Sequence, residues 1–340
     1  MKNLRTQEEI MQNWKGDVFK PKVSICCITY NHEKYINYAL EGFLIQETDF
    51  PFEIIIHDDA STDRTAEIIR DFENNYPLLI KPIYQKKNQF SLGANPFWEH
   101  NFAKANGKYI APCEGDDYWI NADKLQSQFT ILEANPDLGM VHTDVLLIDS
   151  ENQPIDPSDN YNRYKYRIRQ GYIFWDLLIN GNSVFTVSVM IRKNLIKRYS
   201  EWFYFDYWLF LDVSRQALVY FINDKMVAYR KHQGGIMLSD PSYTKKRAEW
   251  VRLDIIHRYI FRKDSNWKKS NKDFDYIRCT EILIKLIYSF CCKKLILPKL
   301  LSEILIKKPF VIFGIIYNIP ILIRKRAIKL YFQFLKSISS

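Results

Sequence analysis

Residues 23–36 read VSICCITYNHEKYI. Val23 to Thr29 is an unbroken apolar run with β-branched members, the composition of a strand covered on both faces. Asn31 and His32 break it. Tyr35, Ile36, Ala39, Leu40 and Phe43 then recur at helical spacing.

Residues 52–76, FEIIIHDDASTDRTAEIIRDFENNY, repeat the succession. Ile54 to Ile56 form a second buried strand, and Asp63 is placed to cap a helix starting near Arg64. Ile80 to Tyr84 reads as a third, shorter strand and Phe97 to Ala105 as a helix. A further strand from Lys108 runs into CEGDDYW, residues 113–119. Strand, loop and helix in repetition predict an α/β fold, an open and mainly parallel sheet with helices on its faces. Such sheets bind ligands beyond the carboxyl ends of their strands. Thr29, Tyr30 and Asn31, then Asp58 and Asp59, then Glu114, Asp116 and Asp117 all stand at such ends. They are therefore expected to converge on one crevice.

Glu114, Asp116 and Asp117 pose an electrostatic problem, because three close carboxylates repel one another unless a cation sits among them. The chain has no G-x-G-x-x-G, and its one Gly-Lys pair, Gly107 and Lys108, is followed by Tyr109. A dinucleotide fold and a P-loop are both disfavoured. A divalent ion on these acids would handle phosphate without a glycine cradle. Taken alone, Asp58 and Asp59 also read as a turn and a helix cap, and Asp116 and Asp117 as a solvated turn.

The bulk numbers set limits. The chain has 340 residues, 47% hydrophobic and 15% aromatic, enough for one large domain or two with a substantial core. Its six cysteines form no C-x-x-C pair, which disfavours a structural zinc site and predicts reduced thiols. The opening MKNLRTQEEIMQNWKGD lacks an apolar core of signal-peptide type, so a cytoplasmic protein is expected. Net charge is +9, distributed unevenly. Residues 276–340 carry 12 Lys and Arg against Glu281 and Glu303, leaving 36 basic and 37 acidic residues before them. A near-neutral body argues against a nucleic-acid groove.

Five ordered pieces between about Lys22 and Gly235 resemble the family-two glycosyltransferases of the GT-A, Rossmann-like fold. VSICCITYNHEKYI resembles the opening strand and turn. IIIHDDASTDRT is similar to the second strand with its acids. AKANGKYIAPCEGDDYW resembles the approach to the metal motif, YFDYWLFLDVSRQ the start of the helix that bears the base, and VAYRKHQGG a late histidine loop. The resemblance implies a nucleotide-diphosphate sugar donor, UDP-linked in the leading reading, a Mn2+ or Mg2+ ion, and inversion at the anomeric carbon. It implies nucleotide contacts from Thr29, Tyr30, Asn31, Asp58, Asp59, Ser61, Glu114 and Asp116, and metal contacts from Asp116 and His232. Asp206 is the implied catalytic base, with Asp212 as its competitor. The family writes its metal motif Asp-x-Asp where this chain has Glu114-Gly115-Asp116. Asp117, Trp119, Thr143 and Asp144 are candidates for the donor or acceptor wall, although Trp119, with Tyr118, reads more readily as core and wall than as a sugar-stacking platform. The loops Gln85–Asn95 and Arg163–Asn182 are candidates for contacts with the donor sugar.

The expected organisation is an N-terminal helix and linker over 1–21, then a catalytic domain over 22–240, and a basic helical region over 241–340. The catalytic domain comprises a nucleotide-binding half, 22–120, and an acceptor half, 121–240. Within the tail, the longest apolar stretch, Phe310 to Ile323, contains Asn318 and Pro320 and falls short of the roughly 20 residues of a spanning helix. Amphipathic helices on an anionic membrane surface are the expectation for 276–340, peripheral on the inner face of the plasma membrane. A helical bundle packed on the body is the alternative. The expected acceptor is a saccharide or lipid-linked saccharide in bacterial surface polysaccharide synthesis, with a single sugar transferred. A nucleotidyltransferase shares strand-end carboxylates but needs a glycine-rich opening loop, absent from TYNHEKY. A non-catalytic nucleotide-sugar-binding scaffold is disfavoured because Asp116, Asp206 and His232 all persist.

Overall fold

A computed structural model describes residues 4–93, 97–156, 169–196 and 205–234 of the chain. Val23–Thr29 forms strand β1 and Phe52–Asp58 strand β2, and every β2 residue is buried. Ile25, Ile54 and Ile56 expose nothing, and each such side chain contributes roughly 2 kcal/mol by leaving water. The two strands run parallel, from Val23 beside Phe52 to Thr29 beside Asp58. β3 (Ile80–Tyr84) adds in parallel to β2, and β4 (Tyr109–Glu114) adds in parallel to β1.

Parallel neighbours require crossovers. After the short α1 (Gln7–Met11), α2 (Ile36–Leu44) and α3 (Thr65–Asn75) supply two of them. Asp63 does start α3, one residue later than expected: one carboxylate oxygen accepts the Thr65 amide at 2.9 Å. The other accepts the Glu33 amide at 3.0 Å, so the same side chain pins the turn after β1. The helix expected over Phe97 to Ala105 is a single π-helical turn, Phe97–Phe102. From it the Asn101 side chain donates to the carbonyls of Cys27 and Ile55, at 2.6 and 3.2 Å. Tying that residue to the sheet favours the wide turn over a regular helix.

The second half contains β5 (Tyr118–Trp119), α4 (Lys124–Ala134), β6 (Leu138–Ile148) and α5 (Phe174–Asn180). β7 (Met190–Arg192), α6 (Phe205–Gln216) and β8 (Leu218–Arg230) complete it. The eight strands make one sheet in the order β3-β2-β1-β4-β7-β6-β8-β5. β7 runs antiparallel to β4 and β6, β8 parallel to β6, and β5 antiparallel to β8. The order reverses between β1 and β4, which is where a doubly wound sheet opens its crevice.

The N-terminal residues are packed against this body. Thr6 and Glu9 form a reciprocal capping box on α1, and Ile10 enters the core. The Arg5 guanidinium donates to the carbonyls of Ile45 and Gln46 at 3.1 and 2.8 Å, satisfying the free end of α2. The region 241–340, including the amphipathic helices expected over 276–340, lies outside the described residues. Among the described residues no helix is long and apolar enough to cross a membrane.

Candidate active site

The strand register brings the expected residues together. Thr29 lies beside Asp58, and Ile28 beside Glu114. The turns beyond β1 and β2 are interlocked: the Ser61 hydroxyl accepts the Asn31 amide at 2.9 Å, and Asn31 Oδ1 accepts the Thr62 amide at 2.8 Å. Asn31 and Ala60 have φ of 56° and 62°, and for Ala60 that left-handed conformation costs about 1 kcal/mol. Asn31 and Ser61 thus build the rim of the crevice, and Tyr30 stands exposed on it. Below them Thr29 Oγ1 and Asp58 Oδ1 are buried without a partner among the described residues. An orphaned buried polar atom costs about 1–3 kcal/mol, which marks a place for an incoming polar group. Burial pushes the Asp58 carboxyl above its ordinary range.

Four assignments are corrected by the structure. Asp59 does not face the crevice as a free acceptor: its two oxygens hold the amides of Gln89 and Phe90 at 2.6 and 2.9 Å, anchoring the loop after β3. Asp117 is buried and its Oδ1 accepts the Arg230 amide at 2.7 Å. Trp119 is core: its indole N–H donates to the Val187 carbonyl at 3.1 Å and its ring packs on Phe43. Thr143 and Asp144 do not end a strand, because β6 continues to Ile148 and they sit at a bulge within it. Thr143 is buried, and Asp144 pairs with Arg169 at 3.4 Å.

The three acids of residues 114–117 differ in how readily they ionise. Burial, then the charges of Asp116 and Asp206, push the Glu114 carboxyl up to about 8. Burial, then the charges of Asp116 and Glu114, push Asp117 well above the carboxylate range. Burial opposes ionisation of Asp116 as well, but the imidazoles of His232 and His32 outweigh it and hold Asp116 below its ordinary value. Asp116 is therefore the most readily ionised of the three.

That carboxylate is flanked by two histidines. His232 Nε2 lies 3.0 Å from Asp116 Oδ2, and His32 Nε2 lies 3.9 Å from the same oxygen. His32 has a buried Nδ1 without a partner among the described residues, and burial lowers its pKa. Gly115 allows this closeness, since a Cβ there would meet Thr29 Oγ1 at 2.7 Å and His32 Nδ1 at 3.1 Å. In the sequence His32 reads only as a strand breaker, and nothing there singles out Arg230. Arg230 is buried with its Nε donating to the Asp116 carbonyl at 2.8 Å. The pattern TYNHEKY contains the one signal for His32, a histidine immediately beyond a buried strand.

Asp206 stands in the first turn of α6, and burial pushes its carboxyl above the ordinary range. Its charge acts on Glu114, and Asn182 Nδ2 lies 3.5 Å from its Oδ2. The competitor Asp212 is committed elsewhere: it pairs with Arg215 at 2.6 Å and accepts from Gln216 at 3.0 Å.

The sequence model of Glycosyl transferase family 2 matches residues 24–197, just over half of the chain. The chain belongs to glycosyl transferase family 2. Relatives agree with this. The uncharacterized protein Rv1520 of Mycobacterium tuberculosis is 33% identical over 263 residues, covering 71% of this chain and 70% of that one. The crystal structure of Staphylococcus aureus TarS 1-349 with UDP-GlcNAc superposes with a TM-score of 0.51 at 18% identity, covering 79% of this chain and 81% of that one. Over a shorter stretch of 132 residues, 37% of this chain and 20% of that one, the sequence is 32% identical to TarS, a poly(ribitol-phosphate) β-N-acetylglucosaminyltransferase. The mannosyltransferase PcManGT of Pyrobaculum calidifontis, in complex with GDP-Man and Mn2+, superposes with a TM-score of 0.50 at 16% identity, covering 88% and 82%. The protein is a glycosyltransferase, and its sheet is that of the GT-A fold.

The residues present in this glycosyltransferase suit a divalent metal in a particular way. Among the described residues no three His, Cys, Asp or Glu side chains stand together as a complete cage. Asp116 and His232 instead offer one anionic oxygen and one imidazole nitrogen at a single point, a donor pair that fits Mn2+ when phosphate oxygens supply further ligands.

Proposed function

We propose that this glycosyltransferase inverts configuration while moving one sugar from a nucleotide-diphosphate sugar to a hydroxyl of a saccharide or lipid-linked saccharide acceptor. The observation that carries the reading is the meeting of Thr29, Asp58 and Asp116 at the switch point of the sheet, with His232 on Asp116. Asp58, with its orphaned Oδ1, accepts from a base N–H or a ribose hydroxyl of the donor, and Thr29 and Tyr30 line the same pocket. Glu114, protonated at neutral pH, donates to a donor oxygen in place of a metal contact. Asp116 and His232 would hold Mn2+ or Mg2+, whose chemistry is to neutralise charge developing on the departing diphosphate.

Asp206 is the base. It takes the proton from the acceptor hydroxyl as that oxygen bonds to the anomeric carbon and the bond from that carbon to the diphosphate oxygen breaks. Attack opposite to the leaving group inverts the centre. A carboxyl raised by burial is a stronger base once ionised, which suits this role. UDP is the favoured nucleotide, in line with the UDP-GlcNAc bound by TarS, and GDP is the competitor, in line with PcManGT. Bacterial surface polysaccharide synthesis is the favoured setting, and TarS, a transferase acting on poly(ribitol-phosphate), supports it. The +10 charge of residues 276–340 supports an anionic membrane surface as a further partner.

The test is calorimetric titration of the purified protein with UDP, GDP, CDP and dTDP, each with Mn2+ and with EDTA. Binding of one nucleotide that disappears in EDTA is expected. Absence of binding by all four to folded protein overturns the reading.

A further inference from the structure

The end of β8 grips the loop that carries Asp116 through one residue. The Arg230 amide donates to Asp117 Oδ1 at 2.7 Å while its Nε donates to the Asp116 carbonyl at 2.8 Å. The guanidinium is then spent on the turn beyond β6. Its Nη1 donates to the Asp149 carbonyl at 3.0 Å and its Nη2 to Asn152 Oδ1 at 2.8 Å. Asn152 adopts a φ of 62° to present that oxygen. On one face the Tyr35 ring lies 4.4 Å from the guanidinium carbon, and the same ring lies 5.0 Å from that of His232.

These contacts share one consequence. Asp116 sits on the loop after β4 and His232 lies just beyond β8, so their 3.0 Å approach depends on how those two segments are held. The fork of Arg230 fixes the backbone of the first, and Tyr35 transmits its position to the ring of the second. We propose that Arg230 is a positioning residue for the donor-metal site, setting the separation of Asp116 and His232 without touching donor or acceptor. This rests on the reading of Asp116 and His232 as metal ligands. A lysine cannot replace it, because an ammonium is a point donor and cannot span three acceptors in different directions. Asp206 stands on α6, and none of the Arg230 hydrogen bonds reaches it, so the base is held independently of the clamp.

The experiment compares full-length wild type, Arg230→Lys and Arg230→Gln, at a temperature where melting curves show all three folded. Mn2+ binding is read from the free-ion EPR signal with UDP present, alongside KM and kcat with donor sugar. Both variants are expected to bind Mn2+ about tenfold to a hundredfold more weakly, with Lys no better than Gln. Donor KM should rise with them, and kcat at saturating metal should stay within about threefold. Wild-type Mn2+ affinity in Arg230→Lys, or a fall in kcat at unchanged KM, overturns the proposal. Should neither Arg230 variant fold, Asn152→Ala and Tyr35→Leu each remove one arm of the clamp, and unchanged Mn2+ affinity in both overturns it equally. If wild type itself binds no Mn2+, the metal reading of Asp116 falls and takes this proposal with it. Only the outcomes above isolate Arg230.

Discussion

His232 Nε2 lies 3.0 Å from Asp116 Oδ2, and a strand of two residues brings their two segments side by side. β5 pairs Tyr118 with Ala228 and Trp119 with Val227, antiparallel, so stepping outward brings Asp116 opposite the end of β8. A shift of one residue would turn these side chains to the other face of the sheet.

Asp116→Asn removes the one anion of this pair and keeps its shape. Mn2+-dependent UDP binding should weaken by about a hundredfold or more. The melting temperature should fall modestly at neutral pH, since the imidazoles of His232 and His32 outweigh burial and the ionised carboxylate therefore stabilises the fold. Calorimetry in Mn2+ and in EDTA checks this, and unchanged metal-dependent affinity would remove Asp116 from the site.

Asp206→Asn should reduce kcat by about 10²–10⁴-fold while nucleotide binding is retained. The pH dependence has a definite sign. Asp206 works ionised and burial raises its pKa, so kcat should climb with pH through a midpoint above the ordinary 3.8 and be lost below it. A raised carboxyl contributes stability below its unfolded pKa and loses it as pH rises through the folded one. At neutral pH the Asn variant should therefore be at least as stable as wild type in urea. Near-normal turnover would show that the base lies elsewhere.

Asp59→Ala separates a loop anchor from a donor contact. Both of its oxygens hold amides of the loop after β3. Hydrogen exchange at Gln89 and Phe90 should accelerate by an order of magnitude or more, given about 1–3 kcal/mol lost with each charged hydrogen bond. The affinity for Mn2+ alone should be unchanged. Continued protection of those two amides would contradict the anchor.

Gly42→Ala sets two effects of opposite sign against each other. In the middle of α2, alanine favours the helix by about 1 kcal/mol. A Cβ at this position would meet the Trp119 backbone at 2.7 Å, and overpacking against backbone costs about 1–3 kcal/mol. The clash should win, lowering the urea midpoint without a change in m. A rise in the midpoint would mean that β5 yields readily to α2.

His57 governs part of the acid limb of stability. Burial, and then neighbouring His100, lower its pKa from 6.5 to about 4. The depressed value means stability is present above pH 6.5 and is lost as pH falls toward 4, because the unfolded chain takes the proton first. Neither ring nitrogen has a hydrogen-bond partner among the described residues, Nε2 lies 3.9 Å from Asp59 Oδ1, and the ring stacks on His100 at 4.6 Å. His57→Phe keeps the stack and removes the proton, so the slope of stability against pH between 6.5 and 4 should flatten by up to one proton. An unchanged slope would assign that limb to other groups, among them His142, whose pKa is also lowered to about 4.

Much of the first half was legible in the sequence, because a strand buried on both faces has no polar positions to spare. Val23–Thr29 and Ile54 to Ile56 therefore stand out as runs, and the edge strand Ile80–Tyr84, with Lys81 exposed, stands out less. Once parallel pairing is granted, their ends must lie level. That places Thr29, Asp58 and Glu114 at one end of the sheet. Asp59 and Asp117 show where this reasoning stops. Each stands next to a functional carboxylate, and composition cannot tell which of two adjacent acids turns outward and which accepts a buried amide. Trp119 was open to the same error, since an aromatic at a strand end serves a wall or a core equally well.

The amino-acid sequence by itself determined the order of strands and helices, the acids at the strand ends and the uneven charge of the chain. These follow from residue types and their spacing, which are local properties. Only the tertiary structure decided which acid is the most readily ionised, that His32, Arg230 and His232 surround it, and that Asp212 is spent on Arg215 rather than free to act as a base. Those outcomes depend on strand register, desolvation and the direction of individual side chains, which for Arg230 and His232 are set against a segment more than a hundred residues away.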